Sequence, residues 1–144
     1  MSALADSIVE QLRLIDSHDY SGAASHETPD SEYRTPFMDV RGEEPIRMAR
    51  ETLAVAFPDA KHDVRAVIES GSSVAIEALW AGTHSGPLAT PMGDIPPTGN
   101  RAEVPMLFIV DTDEAGLIRS THIYYDQVGM MMAMGLFPPP GAGS

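Results

Sequence analysis

The apolar positions of this chain change period partway along it. Leu4, Ile8, Leu12 and Ile15 recur at helical spacing and predict an amphipathic helix over residues 3–17. A polar stretch follows, "DSHDYSGAASHETPD", with room for a short second helix before a turn at Pro29-Asp30. "SEYRTP" predicts a short strand ended by Pro36. Gly42 then opens "EEPIRMARETLAVAF", a second amphipathic helix with Ile46, Ala49, Leu53 and Ala56 on one face. Its Glu43, Glu44 and Pro45 suit a first helical turn, and Pro58 stops it.

From Lys61 the period becomes two. "KHDVRAVIES" alternates, with Val64, Ala66 and Ile68 on one side, and "GSS" is a turn signal. "VAIEALWAGTH" predicts a long strand, and the proline- and glycine-rich "GPLATPMGDIPPTGN" a loop. "RAEVPMLFIVD" and "LIRSTHIYYD" predict two more strands, joined through "TDEAG". "QVGMMMAMGL" predicts a short closing helix. "FPPPGAGS" reads as a frayed end, so residues 1–137 form one expected domain and 138–144 a flexible tail. Helices first and antiparallel strands second predict an α+β domain, with the helices packed on one face of a curved sheet.

Composition narrows the function classes. The 144 residues fit a single core, and 43% hydrophobic content is enough to fill it. No apolar run is long enough to span a membrane. "MSALADSIVE" lacks the basic-then-apolar pattern of an export signal, which points to a cytoplasmic protein. With no cysteine, disulfides, thiolate metal sites and cysteine nucleophiles are excluded. The formal net charge of −12 makes nucleic acid and anionic membranes poor partners.

Nucleotide-binding and nucleophile-elbow motifs are missing: there is no GxGxxG after a strand, no GxxxxGK[ST] and no GxSxG. His18, His26, His62, His84 and His122 are scattered, with no HxH or HExxH pair that would mark a metal site. The expectation is acid–base chemistry in an apolar pocket, without metal or cofactor.

The ordered set "FPD", "GTHSG", "IPPTG", a strand ending "YYDQ" and a closing "MGL" resembles the SnoaL-like polyketide cyclases of the nuclear-transport-factor-2-like superfamily. The resemblance implies a cone-shaped fold, a curved sheet wrapped around helices with a deep pocket between them. It also implies a small apolar metabolite as substrate and a homodimer as assembly. Relatives close polyketide rings, hydrolyse epoxides or isomerise ketosteroids, so fold transfers better than activity.

The resemblance carries over residue by residue. His84 of "GTHSG" matches a histidine used by cyclases, and alternation puts it on the face of Ile76, Ala78 and Trp80. It is the expected principal acid or base, or else a histidine bonded at a strand end between Gly82 and Gly86. Tyr33 is a candidate donor to a substrate oxygen, or a core tyrosine. Thr35 stands where ketosteroid isomerases carry their base and cannot replace it. Ala78 and Trp80 stand where epoxide hydrolases carry an arginine and an aspartate, which disfavours that mechanism.

The family carboxylate is expected three residues before Asp126, where this chain has Ile123. His122 is adjacent but falls on the outer face, expected to meet solvent or a dimer partner. Asp126 itself suits a helix N-cap, with catalysis as the other role. Trp80, Met106, Phe108, Ile123, Tyr125 and Met130 complete the expected pocket wall, Met130 also as part of an adaptable methionine lid. Two functions follow: an acid–base enzyme of the polyketide cyclase type, or a non-catalytic binding or dimerisation module that has lost the family acid.

Overall fold

The computed structural model describes residues 2–136. Its elements are α1 (Ala3–Asp16), α2 (Tyr20–Ala24), β1 (Glu27–Thr35), β2 (Met38–Arg41), α3 (Glu43–Ala56), β3 (Lys61–Ser70), β4 (Ser73–Thr83), β5 (Arg101–Thr112), β6 (Ile118–Tyr124) and α4 (Gln127–Ala133). The expected domain boundary at 137 and the expected tail over 138–144 fall outside the described residues.

Local chemistry sets the helix ends. The Ser2 hydroxyl accepts from the Ala5 N–H and caps α1, with Asp6 in the first turn and Arg13 in the last. At its C-terminus the Asp19 N–H donates to Leu14 O and the His18 N–H to Ile15 O, a Schellman arrangement. The left-handed position of that motif, usually glycine, is His18, with φ of 61°. Asp19 then caps α2 by accepting from the Gly22 N–H. The α3 start has no side-chain cap, and Glu43 and Glu44 supply the negative charge there.

The sheet runs β2-β1-β6-β5-β4-β3. All neighbours are antiparallel except β1 and β6, which run parallel, so the sheet is mixed. Along β4, Val74, Ile76, Ala78 and Trp80 are buried, and along β5 Ala102, Val104, Met106, Phe108 and Val110. They form one continuous face against α1 and α3, which contribute Ile8, Leu12, Ile46 and Ala49 to the core.

Two sequence expectations are corrected in detail, and one strand is added. Pro29-Asp30 lies inside β1 and makes no turn; the β1–β6 register shifts between Glu27 and Glu32, and such an irregularity accommodates a proline that cannot donate to the ladder. The hairpin strand β2 was not predicted, because "MDVR" is too short and polar to alternate visibly. In β3 a bulge between Val64 and Ala66 resets the alternation. Val67 therefore turns inward, and Ala66 and Ile68 face solvent, Ile68 at 68% exposure.

Candidate functional site

The curl of the sheet around α1 and α3 leaves a cavity that opens to solvent at one end. The wall is mostly apolar: Leu12, Leu53, Phe57, Trp80, Met106 and Phe108 face it. The expected wall residues Thr35, Ile123, Tyr125 and Met130 line it as well, as does Tyr33.

His84 does not line the cavity. Strand alternation does continue through it, but its ring lies behind Phe57, stacked at 5.2 Å between centroids, and is fully buried. Its hydrogen bonds tie it to the loop that follows. Its backbone N–H donates to Asn100 O, its carbonyl accepts from the Gly99 N–H, and its Nδ1 lies 3.0 Å from Thr98 Oγ1. The two glycines of "GTHSG" are there for space. A Cβ on Gly86 would stand 2.0 Å from Val55 O, and one on Gly82 3.2 Å from the Phe57 Cβ. Ser85 and Gly86 both donate to Ala56 O, so the motif clamps the C-terminal end of α3. Asn100 extends the clamp by donating through Nδ2 to Met134 O at 2.8 Å. The geometry makes His84 part of this clamp through Nδ1, while its buried Nε2 has no partner among the described residues.

Asp126 takes the capping role. It does not line the cavity, and its carboxylate caps α4 by accepting from the Gly129 N–H at 2.9 Å. His122 sits on the outer face, as alternation predicts, with Nε2 2.8 Å from Glu32 Oε2.

The structure brings two unpredicted residues to the wall. Asp16 ends α1, one turn beyond Leu12, and His62 is the first inward-facing residue of β3. His62 Nδ1 lies 2.7 Å from Asp16 Oδ1, and the His62 backbone N–H donates to Asp16 Oδ2 at 2.8 Å. A carboxylate only accepts, so the proton of the neutral imidazole is on Nδ1. Nε2 is then the basic nitrogen, and it has no hydrogen-bond partner among the described residues. The ring packs edge-on to Phe108 at 5.4 Å, which fixes its plane in the wall. His18 and Tyr20, stacked at 6.1 Å, line the cavity beside Asp16.

A second polar group lies on β1, β6 and α3. Arg50 is buried and held bidentately by Glu27, at 3.1 and 3.0 Å. Its guanidinium carbon stands 5.3 Å from the Tyr33 ring centroid. Burial pushes the Tyr33 phenol above its ordinary value against the opposing Arg50 charge, and burial raises Tyr125 as well. Both phenols therefore stay protonated and able to donate at neutral pH. Among the described residues no group of three or more His, Asp or Glu side chains is arranged to hold a metal ion. No helix among them is long and apolar enough to cross a membrane.

Comparison with known proteins agrees with this architecture. A family model described as SnoaL-like polyketide cyclase matches residues 7–134. No curated protein matches by sequence. Among solved structures, TsrD from Streptomyces laurentii is similar with a TM-score of 0.81 and 20% identity, over 95% of this chain and 98% of that one. A protein described as a SnoaL-like polyketide cyclase from Jannaschia sp. CCS1 gives 0.79 and 23%, over 96% and 98%. IdmH from Streptomyces antibioticus, described as a polyketide cyclase, gives 0.77 and 25%, over 93% and 99%.

Proposed function

The chain belongs to the SnoaL-like polyketide cyclase family, and from that premise we propose that it is an acid–base enzyme, working without a cofactor, that closes a ring in a small apolar metabolite. The observation that carries this reading is the Asp16–His62 pair in the wall of an otherwise apolar cavity. It supplies the acid–base group that Ile123 cannot.

The chemistry follows from the tautomer. Nε2 of His62 takes a proton from the carbon next to a substrate carbonyl, and the C–H electron pair becomes an enolate. The imidazolium so formed is held by the Asp16 carboxylate through Nδ1–H. The enolate carbon attacks a second carbonyl of the same molecule, forming the ring bond and an alkoxide. Nε2–H returns the proton to that oxygen, and the histidine is neutral again. The apolar wall keeps bulk water from quenching the enolate.

On the outer sheet face, Leu107 and Tyr124 are paired in register and exposed, which supports the expected homodimer through that face.

The enolisation step is testable without the natural substrate. In deuterated water the protein should accelerate exchange of the α-protons of 2-tetralone, followed by proton NMR. His62→Gln should return the rate to that of buffer. Equal exchange by the wild type and His62→Gln would remove the acid–base reading. Tight binding of apolar ketones with no exchange in either would favour the binding-module alternative.

A further inference from the structure

The polar group on β1, β6 and α3 is separate from the Asp16–His62 pair. Tyr33 and His62 belong to strands four places apart in the sheet order, on the order of 19 Å along the sheet surface. The parallel β1–β6 register sets Tyr33 beside Thr121, and α3 lays Arg50 over the Tyr33 ring. All three line the cavity, and their exposures are only 6%, 5% and 7%.

Their hydrogen bonding is incomplete. Arg50 spends Nη1 and Nη2 on Glu27, while its Nε has no partner. Thr121 Oγ1 has none either. Both atoms are shielded from bulk water. A buried polar group without a partner is costly, about 1–3 kcal/mol, and in native proteins such a group calls for an explanation. Thr121 is on the cavity face of β6, so a change of its χ1 rotamer turns either hydroxyl or methyl towards a ligand.

The chemistry of the missing partner can be read from what is present. Arg50 Nε–H is a donor only, and the Tyr33 and Thr121 hydroxyls can both donate, so the complement is an acceptor oxygen. Glu27 already balances the Arg50 charge, so a second carboxylate would enter a buried site with no cation left to pair it. The acceptor is therefore neutral. We propose that Arg50, Tyr33 and Thr121 form a subsite for a neutral carbonyl oxygen of an otherwise apolar ligand. The proposal rests on the reading that this cavity takes a small apolar metabolite, and it adds where one oxygen of that molecule is held: on the β1–β6 wall, away from the proton-transfer end at His62.

Binding tests it independently of turnover. Isothermal titration would compare three probes of one shape: 2-acetonaphthone, its hydrocarbon isostere 2-isopropenylnaphthalene, and 2-naphthoate. The ketone should bind about five- to tenfold tighter than the hydrocarbon, the scale of one net hydrogen bond, and the carboxylate weakest. Thr121→Val, nearly isosteric, should shrink the ketone's advantage over the hydrocarbon and leave the hydrocarbon unchanged. Should that variant not fold, Tyr33→Phe serves the same comparison. Equal binding of ketone and hydrocarbon by the wild type, or an equal loss for both in the variant, overturns the subsite alone. Tightest binding of 2-naphthoate overturns its neutrality. Binding of none of the three overturns the subsite together with the cavity reading beneath it.

Discussion

Nδ1 of His62 lies 2.7 Å from Oδ1 of Asp16, and the backbone N–H of the same histidine donates to the other carboxylate oxygen. One side chain thus fixes both the position and the tautomer of another. His62→Gln should lower any proton-transfer rate by about 10²-fold or more. Asp16→Asn replaces an acceptor-only group by one that can present N–H to Nδ1, favouring the wrong tautomer. Its rate should fall by about 10²-fold as well, with binding of apolar ketones kept. Exchange rates and titration on the same preparations separate the two effects.

His84 packs on Phe57 and holds the Thr98 loop, and on the proposed reading its removal should cost stability and spare turnover. His84→Ala deletes a fully buried ring packed on Phe57 and frees the Thr98 hydroxyl. A loss of about 2–4 kcal/mol is expected by denaturant unfolding, with the exchange rate per folded molecule unchanged. Gly86→Ala is the harsher test, since its Cβ would stand 2.0 Å from Val55 O. It should destabilise at least as much, or yield no folded protein at all.

The Glu27–Arg50 pair is buried on both sides, with side chains only 4% and 5% exposed. Glu27→Gln leaves a buried guanidinium without its counter-charge. A loss of about 3–5 kcal/mol is expected, read as a shift in the denaturant midpoint. Replacing both partners by apolar residues should cost much less, and a double-mutant cycle would measure the difference.

Stability should decline at both ends of the pH scale. The His122 contact holds Glu32 below the usual carboxylate value, and the Thr83 N–H does the same for Asp59. Groups with depressed native values stabilise above their unfolded pKa and lose that contribution as pH falls through the native one. The acid limb is therefore expected below about pH 4. Tyr33 and Tyr125 are raised by burial, so the sign reverses. Their neutral forms stabilise below about pH 10, and that contribution is lost as pH rises beyond it. Thermal midpoints across pH would show both limbs, and Asp59→Asn should flatten the acid one.

His18 takes the left-handed position of the α1 Schellman motif at φ of 61°. His18→Gly should raise stability by about 1 kcal/mol, since glycine adopts that conformation without steric cost. Chemical denaturation checks it.

Most of the fold is legible in the sequence, because helices α1 and α3 and strands β4 and β5 each carry a clean period. The exceptions have local physical causes. Pro29 is admitted to β1 by an irregular register, and the bulge after Val64 reverses the alternation of β3. The pocket wall is legible for the same reason as the core, since Trp80, Met106 and Phe108 follow strand alternation. The proposed acid–base pair is not. Asp16 ends an apolar helical stripe, His62 begins a strand, and 46 residues separate them. Neither stands out until the helix is laid across the sheet. The signal available was each residue's inward position, an acid on the Leu12 side of α1 and a histidine on the Val64 side of β3.

The clamp built from "GTHSG" and the loop through Asn100 bears on how kinship and reaction are related. The residues by which this chain is known as a relative are occupied with holding α3, the loop and α4 together. The proposed proton-transfer groups lie elsewhere, at the end of α1 and the start of β3. A lineage built this way can exchange one cavity-facing group for another without disturbing the marks of its ancestry. Reaction type in such proteins is better sorted by the residues that face the cavity than by the motif that names them.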